Sequence, residues 1–349
     1  MIKVGIAGIG FMGVTHFAAW AKVPDAQVTA LCTRSGKKLD GDWSDVQGNF
    51  GGSGGVHDFS DLARYSDYEQ LVNDPSVNVI DVCLPTHLHV SATIAALEAG
   101  KHVVVEKPIA LNVQDAQRMV EAAQSNGRLL FVAQVLRFSP EWVFLKDALE
   151  SGEFGKLSVL NLRRIISVPR WSDEIADLAA LGGPLIDLHI HDADFLLFLL
   201  GKPRSVFASG VERDGVILYT ATTYDYANGP RVTCQSGAVA AEGRPFKHEF
   251  EACFEDATVC YAGATERTEP DAAAGQSSSQ VLTVYRKNGS ATYPTLKSSD
   301  GFHQQLSHVA NCIRADRPST VIGPESARDA LALVIREGES IRSGTTQSV

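Results

Sequence analysis

The sequence predicts an α/β protein in two parts: a doubly wound parallel sheet, then an α+β part built on a large, mostly antiparallel, open sheet. Three observations carry this. Over the first 135 residues, apolar strand-like runs alternate with amphipathic stretches, a βαβα rhythm that packs as a parallel sheet between helices. Glycines follow directly on the first strand. After about residue 138 the rhythm gives way to β-rich runs separated by turn residues. A length of 349 residues suits two domains, placed at 1–135 and 136–349.

The first strand, Ile2–Ala7, runs into Gly8-Ile9-Gly10-Phe11-Met12-Gly13 at the start of a helix over Phe11–Ala21. Gly8 allows a tight turn, Gly10 lets the backbone approach a pyrophosphate, and Gly13 lets helix and sheet pack closely. The helix amino terminus at Phe11, Met12 and Gly13 adds N–H donors and positive potential for phosphates. This context points to a dinucleotide.

The second strand, Gln27–Cys32, ends at Thr33-Arg34-Ser35, with Lys37-Lys38 beyond. A binder of unphosphorylated ribose usually places Asp or Glu here to accept from the 2′-hydroxyl. This chain has none. Thr33 and Ser35 offer donors to a 2′-phosphate, and Arg34 pairs with that phosphate or stacks on adenine, so NADP is favoured over NAD. Ser35 to Ser60 then carries seven glycines without periodicity. It is long for a βα connection, and reads either as a flap near the cofactor or as an insertion.

Helices are expected at Ser66–Asn73, His87–Ala99 and Val113–Ser125, with stops at Gly100 and Asn126-Gly127. The remaining strands of this part are Val77–Cys83, His102–Val105 and Leu129–Ala133. The run Val103-Val104-Val105 suits a strand buried on both faces. Lys107 follows it, on the edge where open α/β sheets bind their ligands. Pro108 biases Lys107 towards an extended backbone, so the chain turns there. The plain alternative is a solvated surface lysine.

The second part begins with a helix (Pro140–Glu150), a strand (Leu157–Ile166) and a tryptophan-containing loop. A helix over Leu185–Leu200 opens on Gly182-Gly183-Pro184. Strands follow at Ser205–Val211, Val216–Tyr224, Arg231–Ser236, His248–Phe254, Thr258–Tyr261 and Val281–Arg286, with Glu269–Gln280 an exposed loop. Helices at Gly301–Ala315 and Glu325–Arg342 finish the chain. Asp187 and His191 stand i,i+4 and project from one helix face. A carboxylate beside an imidazole orients a general base, although such pairs also serve only to stabilise helices.

Composition excludes other classes. A formal charge of −10, with no Lys/Arg cluster longer than a pair, argues against a nucleic-acid surface. No run approaches the roughly 18 apolar residues of a membrane span. The start lacks a signal peptide, which points to the cytoplasm. The six cysteines are scattered without a CxxC pair; Cys32 and Cys83 read as buried thiols, and no metal is expected.

Together these residues resemble the glucose-fructose oxidoreductase / inositol dehydrogenase / MocA family, along nearly the whole chain. The carriers are GIGFMG (Gly8 to Gly13), CLPTHLHVSATIAALEAGKHVVVEKP (Cys83 to Pro108), GEFGKL (Gly152 to Leu157) and GGPLIDLHIHDADFLLFLLG (Gly182 to Gly201). The resemblance implies a Rossmann domain followed by an α+β domain whose open sheet forms a homodimer or homotetramer. It implies that Lys107 contacts nicotinamide and the reacting hydroxyl, with Asp187 and His191 as partner acid and general acid/base. Leu84, Pro85, Thr86 and His89 fall in the segment beside the cofactor, and Glu106 matches the glutamate before the lysine. His189 departs from the pattern, which commonly has glycine there; it narrows the pocket or adds a substrate contact. Further substrate contacts are expected from Arg163, Arg164, Trp171 and His303. The implied activity is hydride transfer between NAD(P) and a secondary alcohol or ketone of a sugar, inositol or related polyol. The alternatives are an NAD-assisted glycoside hydrolase of this fold and a non-catalytic NAD(P)-binding regulator of sugar metabolism.

Overall fold

The structure is a computed structural model that describes residues 1–46, 54–167, 178, 180–241, 244, 246–265, 278–296 and 300–349. The first sheet contains β1 (Ile2–Ala7), β2 (Ala26–Cys32), β3 (Ala63–Tyr65), β4 (Val79–Val82), β5 (His102–Glu106) and β6 (Leu130–Ala133). All pair in parallel, in the order β3-β2-β1-β4-β5-β6. Every position of β4 and β6 is buried, as helices on both faces require. The order reverses between β1 and β4, the switch point beside which such sheets bind ligands. β3 is three residues long, too short to show a period in the sequence.

Helices α1 (Phe11–Trp20), α2 (Gly36–Leu39), α3 (Tyr68–Val72), α4 (His89–Glu98) and α5 (Val113–Ser125) connect these strands. α3 and α5 start where Asp67 and Asn112 accept from the backbone N–H of Glu69 and Asp115. The glycine-rich segment lies partly outside the described residues, at 47–53. Its flanks are core: Trp43 and Phe59 pack edge-on against Phe17 of α1, with ring centroids 5.1 and 5.6 Å away.

The second sheet contains β7 (Leu157–Ile166), β8 (Ser205–Arg213), β9 (Val216–Asp225), β10 (Arg231–Ala238), β11 (Phe246–Phe254), β12 (Ala257–Thr265), β13 (Ser278–Arg286), β14 (Ala291–Thr292) and β15 (Gln347–Ser348). Their order is β14-β13-β12-β11-β7-β10-β9-β8-β15. β7 and β10 are parallel neighbours, and the other pairs are antiparallel. Around it run α6 (Pro140–Ser151), α7 (Gly183–Asp187) and α8 (Ile190–Leu200); α9 (Gly301–Arg314) and α10 (Pro324–Ser343) follow.

Two findings differ from the sequence reading. The helix expected over Leu185–Leu200 is two helices. His189 N donates five residues back to Pro184 O (2.9 Å), whereas His191 N and Asp192 N donate only three back, to Leu188 O (3.3 Å) and His189 O (3.0 Å). The backbone loosens and then tightens at Leu188-His189, so Asp187 and His191 flank a break and not a regular turn.

The compact units also differ from a single cut at residue 135. One comprises Met1–Phe138 with Ser299–Leu331, the other Ser139–Ser298 with Ala332–Val349. The reason is the amphipathic helix α9, whose Leu306, Val309, Ala310 and Cys312 enter the core with Trp20, Phe131 and Ile322. α10 belongs to the first unit up to Leu331 and to the second from Ala332.

Candidate functional site

Parallel strands present their carboxyl ends on one edge. That edge collects the turn Gly8–Gly13 after β1, Thr33 and Arg34 after β2, Leu84-Pro85-Thr86 after β4 and Lys107 after β5. Two of the three motif glycines answer to the fold. Gly8 has φ +94°, and a Cβ there would stand 2.4 Å from Cys83 O; one on Gly13 would stand 2.0 Å from Gly8 O. Gly10 is different. Its backbone is extended, and a Cβ would meet nothing within 4 Å. None of the described residues fills this space, and α1 begins there without a side-chain cap. The arrangement fits a pyrophosphate.

At the end of β2, Arg34 is exposed and Thr33 half-buried. The first carboxylate beyond is Asp40, which faces Arg64 at 3.5 Å. Lys37 is turned to Asp42 and Asp45, each at 3.5 Å.

His89 and Glu106, expected to bind cofactor, sit beneath the edge. Both His89 ring nitrogens face backbone carbonyls, Nδ1 at 2.8 Å from Pro108 O and Nε2 at 2.8 Å from Leu84 O. Burial disfavours its charged form and lowers its pKa, against the pull of those carbonyls and of Glu106. Glu106 Oε1 lies 2.9 Å from His16 Nε2, and its Oε2 accepts from Lys107 N at 3.2 Å. Their polar atoms are spent on the protein. The Lys107–Pro108 peptide is cis, and Lys107 is half-buried.

Behind Glu106 lies a group that sequence reading missed. His16 Nδ1 is 2.9 Å from Asp81 Oδ2, to which the Trp20 indole N–H donates at 2.7 Å. His16, Trp20 and Asp81 are fully buried. Burial opposes a charge on His16, but Asp81 outweighs it and holds the imidazole well above its ordinary range.

In the second unit Asp187 ends α7 and His191 is the second residue of α8, both half-buried. The residue between them is not available to substrate. His189 is fully buried, with Nε2 at 2.5 Å from Glu337 Oε2 and 3.2 Å from Tyr224 OH. Glu337 also accepts from Tyr224 OH and Thr222 Oγ1, at 3.0 Å each. Burial works against charge on His189, but the Glu337 carboxylate prevails and raises its pKa.

Arg164 is likewise spent. Its Nε and NH2 donate to Asp192, both at 2.9 Å, in a buried fork. Arg163, one residue away, points to the opposite sheet face and pairs with Glu249 at 3.2 Å. His303 belongs to the first unit, and its Nε2 lies 3.1 Å from Lys22 O, past the carboxyl end of α1 and so remote from the glycine turn. Trp171 lies outside the described residues.

A parallel sheet of this order, with a glycine turn and open space at the switch point, defines a dinucleotide-binding protein. Residues 2–134 match the profile described as "Oxidoreductase family, NAD-binding Rossmann fold", and residues 142–260 match "GFO/IDH/MocA C-terminal domain". The chain belongs to the GFO/IDH/MocA family. It is similar to the myo-inositol 2-dehydrogenase of Thermotoga maritima, with 30% identity over 210 residues, 60% of this chain and 58% of that protein. It is similar also to the scyllo-inositol 2-dehydrogenase (NADP(+)) IolW of Bacillus subtilis, with 27% identity over 250 residues, 69% of this chain and 64% of that protein. These matches span less than two thirds of either relative's length. The aldose-aldose oxidoreductase of Caulobacter crescentus, complexed with glycerol, superposes with a TM-score of 0.81 at 19% identity, over 100% of this chain and 99% of that one. That likeness shows the fold alone.

Glu337→Gln keeps the shape of the side chain and removes its charge. It is expected to lower stability by about 3–5 kcal/mol near neutral pH, because one buried ion loses its partner. The folded pKa of His189 is raised. The pair therefore contributes fully below about pH 6.5, the ordinary imidazole value, and fades as pH rises through the raised one. Urea titrations of both proteins across pH check this; a difference that does not shrink at alkaline pH would remove the charge from the pair.

Proposed function

We propose that the chain is an NAD(P)-dependent oxidoreductase acting on a secondary alcohol or ketone of a sugar, inositol or related polyol. The carrying observation is the conjunction on one sheet edge of Lys107 with a phosphate turn whose Gly10 no packing explains. The bound nicotinamide accepts or gives the hydride. In the oxidative direction His191, oriented by Asp187, takes the hydroxyl proton. The Lys107 ammonium meets the substrate oxygen and stabilises negative charge growing on it. The inositol relatives support a polyol substrate.

NADP is the preferred cofactor on this reading. No acidic residue follows β2 before Asp40, Arg34 stands exposed there, and one relative's name specifies NADP(+). A homodimer or homotetramer forms through the second sheet: the face bearing Arg163 and Glu249 also exposes Phe207, Val281 and Tyr285 at 47, 48 and 51%. Sedimentation at the mass of a single chain would refute it.

A panel of inositols, sugars and other polyols, followed by absorbance of the reduced nicotinamide with NAD and NADP side by side, tests the function. Lys107→Ala is expected to abolish turnover and largely spare cofactor affinity; undiminished turnover would refute its role. Sugar released without net change in reduced cofactor would assign glycoside cleavage instead. Cofactor binding with no turnover on the panel would favour a regulator. Arg34→Ala is expected to weaken NADPH binding by about tenfold or more, as loss of a hydrogen bond to a charged group does, while NADH binding changes little. Equal losses for both cofactors would place Arg34 on the adenine.

A further inference from the structure

We propose that His16 and His89 are positioning residues that clamp the backbone of Lys107 from its two sides. This deepens the reading of Lys107 as the group that meets the substrate oxygen, since its position matters to chemistry only there. On the amino side, the Lys107 N–H donates to Glu106 Oε2 at 3.2 Å, and the other oxygen of that carboxylate lies 2.9 Å from His16 Nε2, an ion-pair approach outside hydrogen-bond angles. On the carboxyl side, the carbonyl of the next residue, Pro108, lies 2.8 Å from His89 Nδ1, and the same ring reaches Leu84 O at 2.8 Å.

Each histidine comes from a helix packed on the sheet, α1 for His16 and α4 for His89. The far nitrogen of His16 meets Asp81, and the neutral His89 ring donates to Pro108 O in its Nδ1–H tautomer with Nε2 facing Leu84 O. Asp81 belongs to β4, and Leu84 to the chain that leaves it. Lys107 therefore hangs between two rings that take their bearings from the neighbouring strand. Core packing alone asks for none of this, because apolar side chains of similar volume fill such positions without desolvating two carboxylates and two imidazoles.

The test is acetylation of lysines in the full chain by an amine-reactive ester, read residue by residue by mass spectrometry. It needs neither turnover nor a substrate. Glutamine places an amide near the Nε2 position of histidine, and asparagine places one near Nδ1. His16→Gln thus keeps the contact to Glu106, and His16→Asn keeps only the one to Asp81. At the other ring the order reverses: His89→Asn keeps the contact to Pro108 O, and His89→Gln only that to Leu84 O.

Lys107 is expected to label about tenfold faster in His16→Asn and His89→Gln, the change that losing about 1.4 kcal/mol of hold produces. In His16→Gln and His89→Asn its rate stays near that of the unaltered chain. Lys101 is the internal control, pinned in the same unit by Asp74 O (2.6 Å) and Val77 O (2.8 Å), and its rate is expected to stay constant. Equal Lys107 rates for the Gln and Asn variants at a site, or acceleration of Lys101 together with Lys107, overturn the proposal. Should one histidine tolerate neither variant, the pair at the other decides alone. Failure here leaves the hydride-transfer reading standing, and failure of that reading leaves the clamp.

Discussion

The first unit depends on an imidazole held between two carboxylates in the protein interior. His16 lies 2.9 Å from Asp81 on one side and 2.9 Å from Glu106 on the other. Removing such ions from water costs several kcal/mol each, and their attraction offsets this only where geometry and further hydrogen bonds are good. Here Trp20 supplies one such bond, to Asp81, and the Lys107 N–H another, to Glu106. The three charged groups come from α1, β4 and β5. The helix that opens on the phosphate turn, the strand at the switch point and the strand that carries Lys107 are thereby set against one another. A shift of any one leaves a charge without its partner.

The second unit uses the same device twice. Arg164 of β7 grips Asp192 of α8, and His189 grips Glu337 of α10, with Thr222 and Tyr224 of β9 completing the carboxylate's shell. The start of α8, where His191 stands, is bound to the sheet by one pair and to the terminal helix by the other. Two clusters, His16/Asp81/Cys83 and His189/Asp192/Cys234, bring three ligand-type atoms within 4.8 Å. A cation would have to displace Arg164 from Asp192, or the Trp20 indole from Asp81. The clusters read instead as polar networks that fix backbone.

The sequence made the architecture legible wherever a period or a stop residue spoke. The glycine turn, the valine run of β5 and the Asn228-Gly229 hairpin all fall where the residues place them. It was silent where tertiary partners decide. The break at Leu188-His189 follows the His189 ring to Glu337, which stands 148 residues on, in a charged helical stretch indistinguishable from a solvated one. Arg163 and Arg164 look alike in sequence, and strand alternation sends one to solvent and the other into the core. One signal was present and unread: Asp81 is a lone charge inside an otherwise apolar strand, and a buried carboxylate has a partner somewhere. The partner, His16, sits three residues after Gly13 on a helix that is otherwise largely apolar.

Residues of the site now divide by what demands them. Gly8 and Gly13 are required by carbonyls at 2.4 and 2.0 Å from any added Cβ, His89 and Glu106 by the backbone they hold. Any protein with this fold and this turn would need the two glycines, whether or not it bound a ligand, whereas His89 and Glu106 answer to the backbone around Lys107. Among the described residues, Gly10 and Arg34 answer to no such need. One leaves open space in front of a helix start, and the other is exposed at the end of β2. A residue type that the fold does not ask for, placed on the edge where the fold binds ligands, is best explained by the ligand. The dinucleotide reading therefore rests less on the motif as a string than on the one glycine in it that the protein could do without.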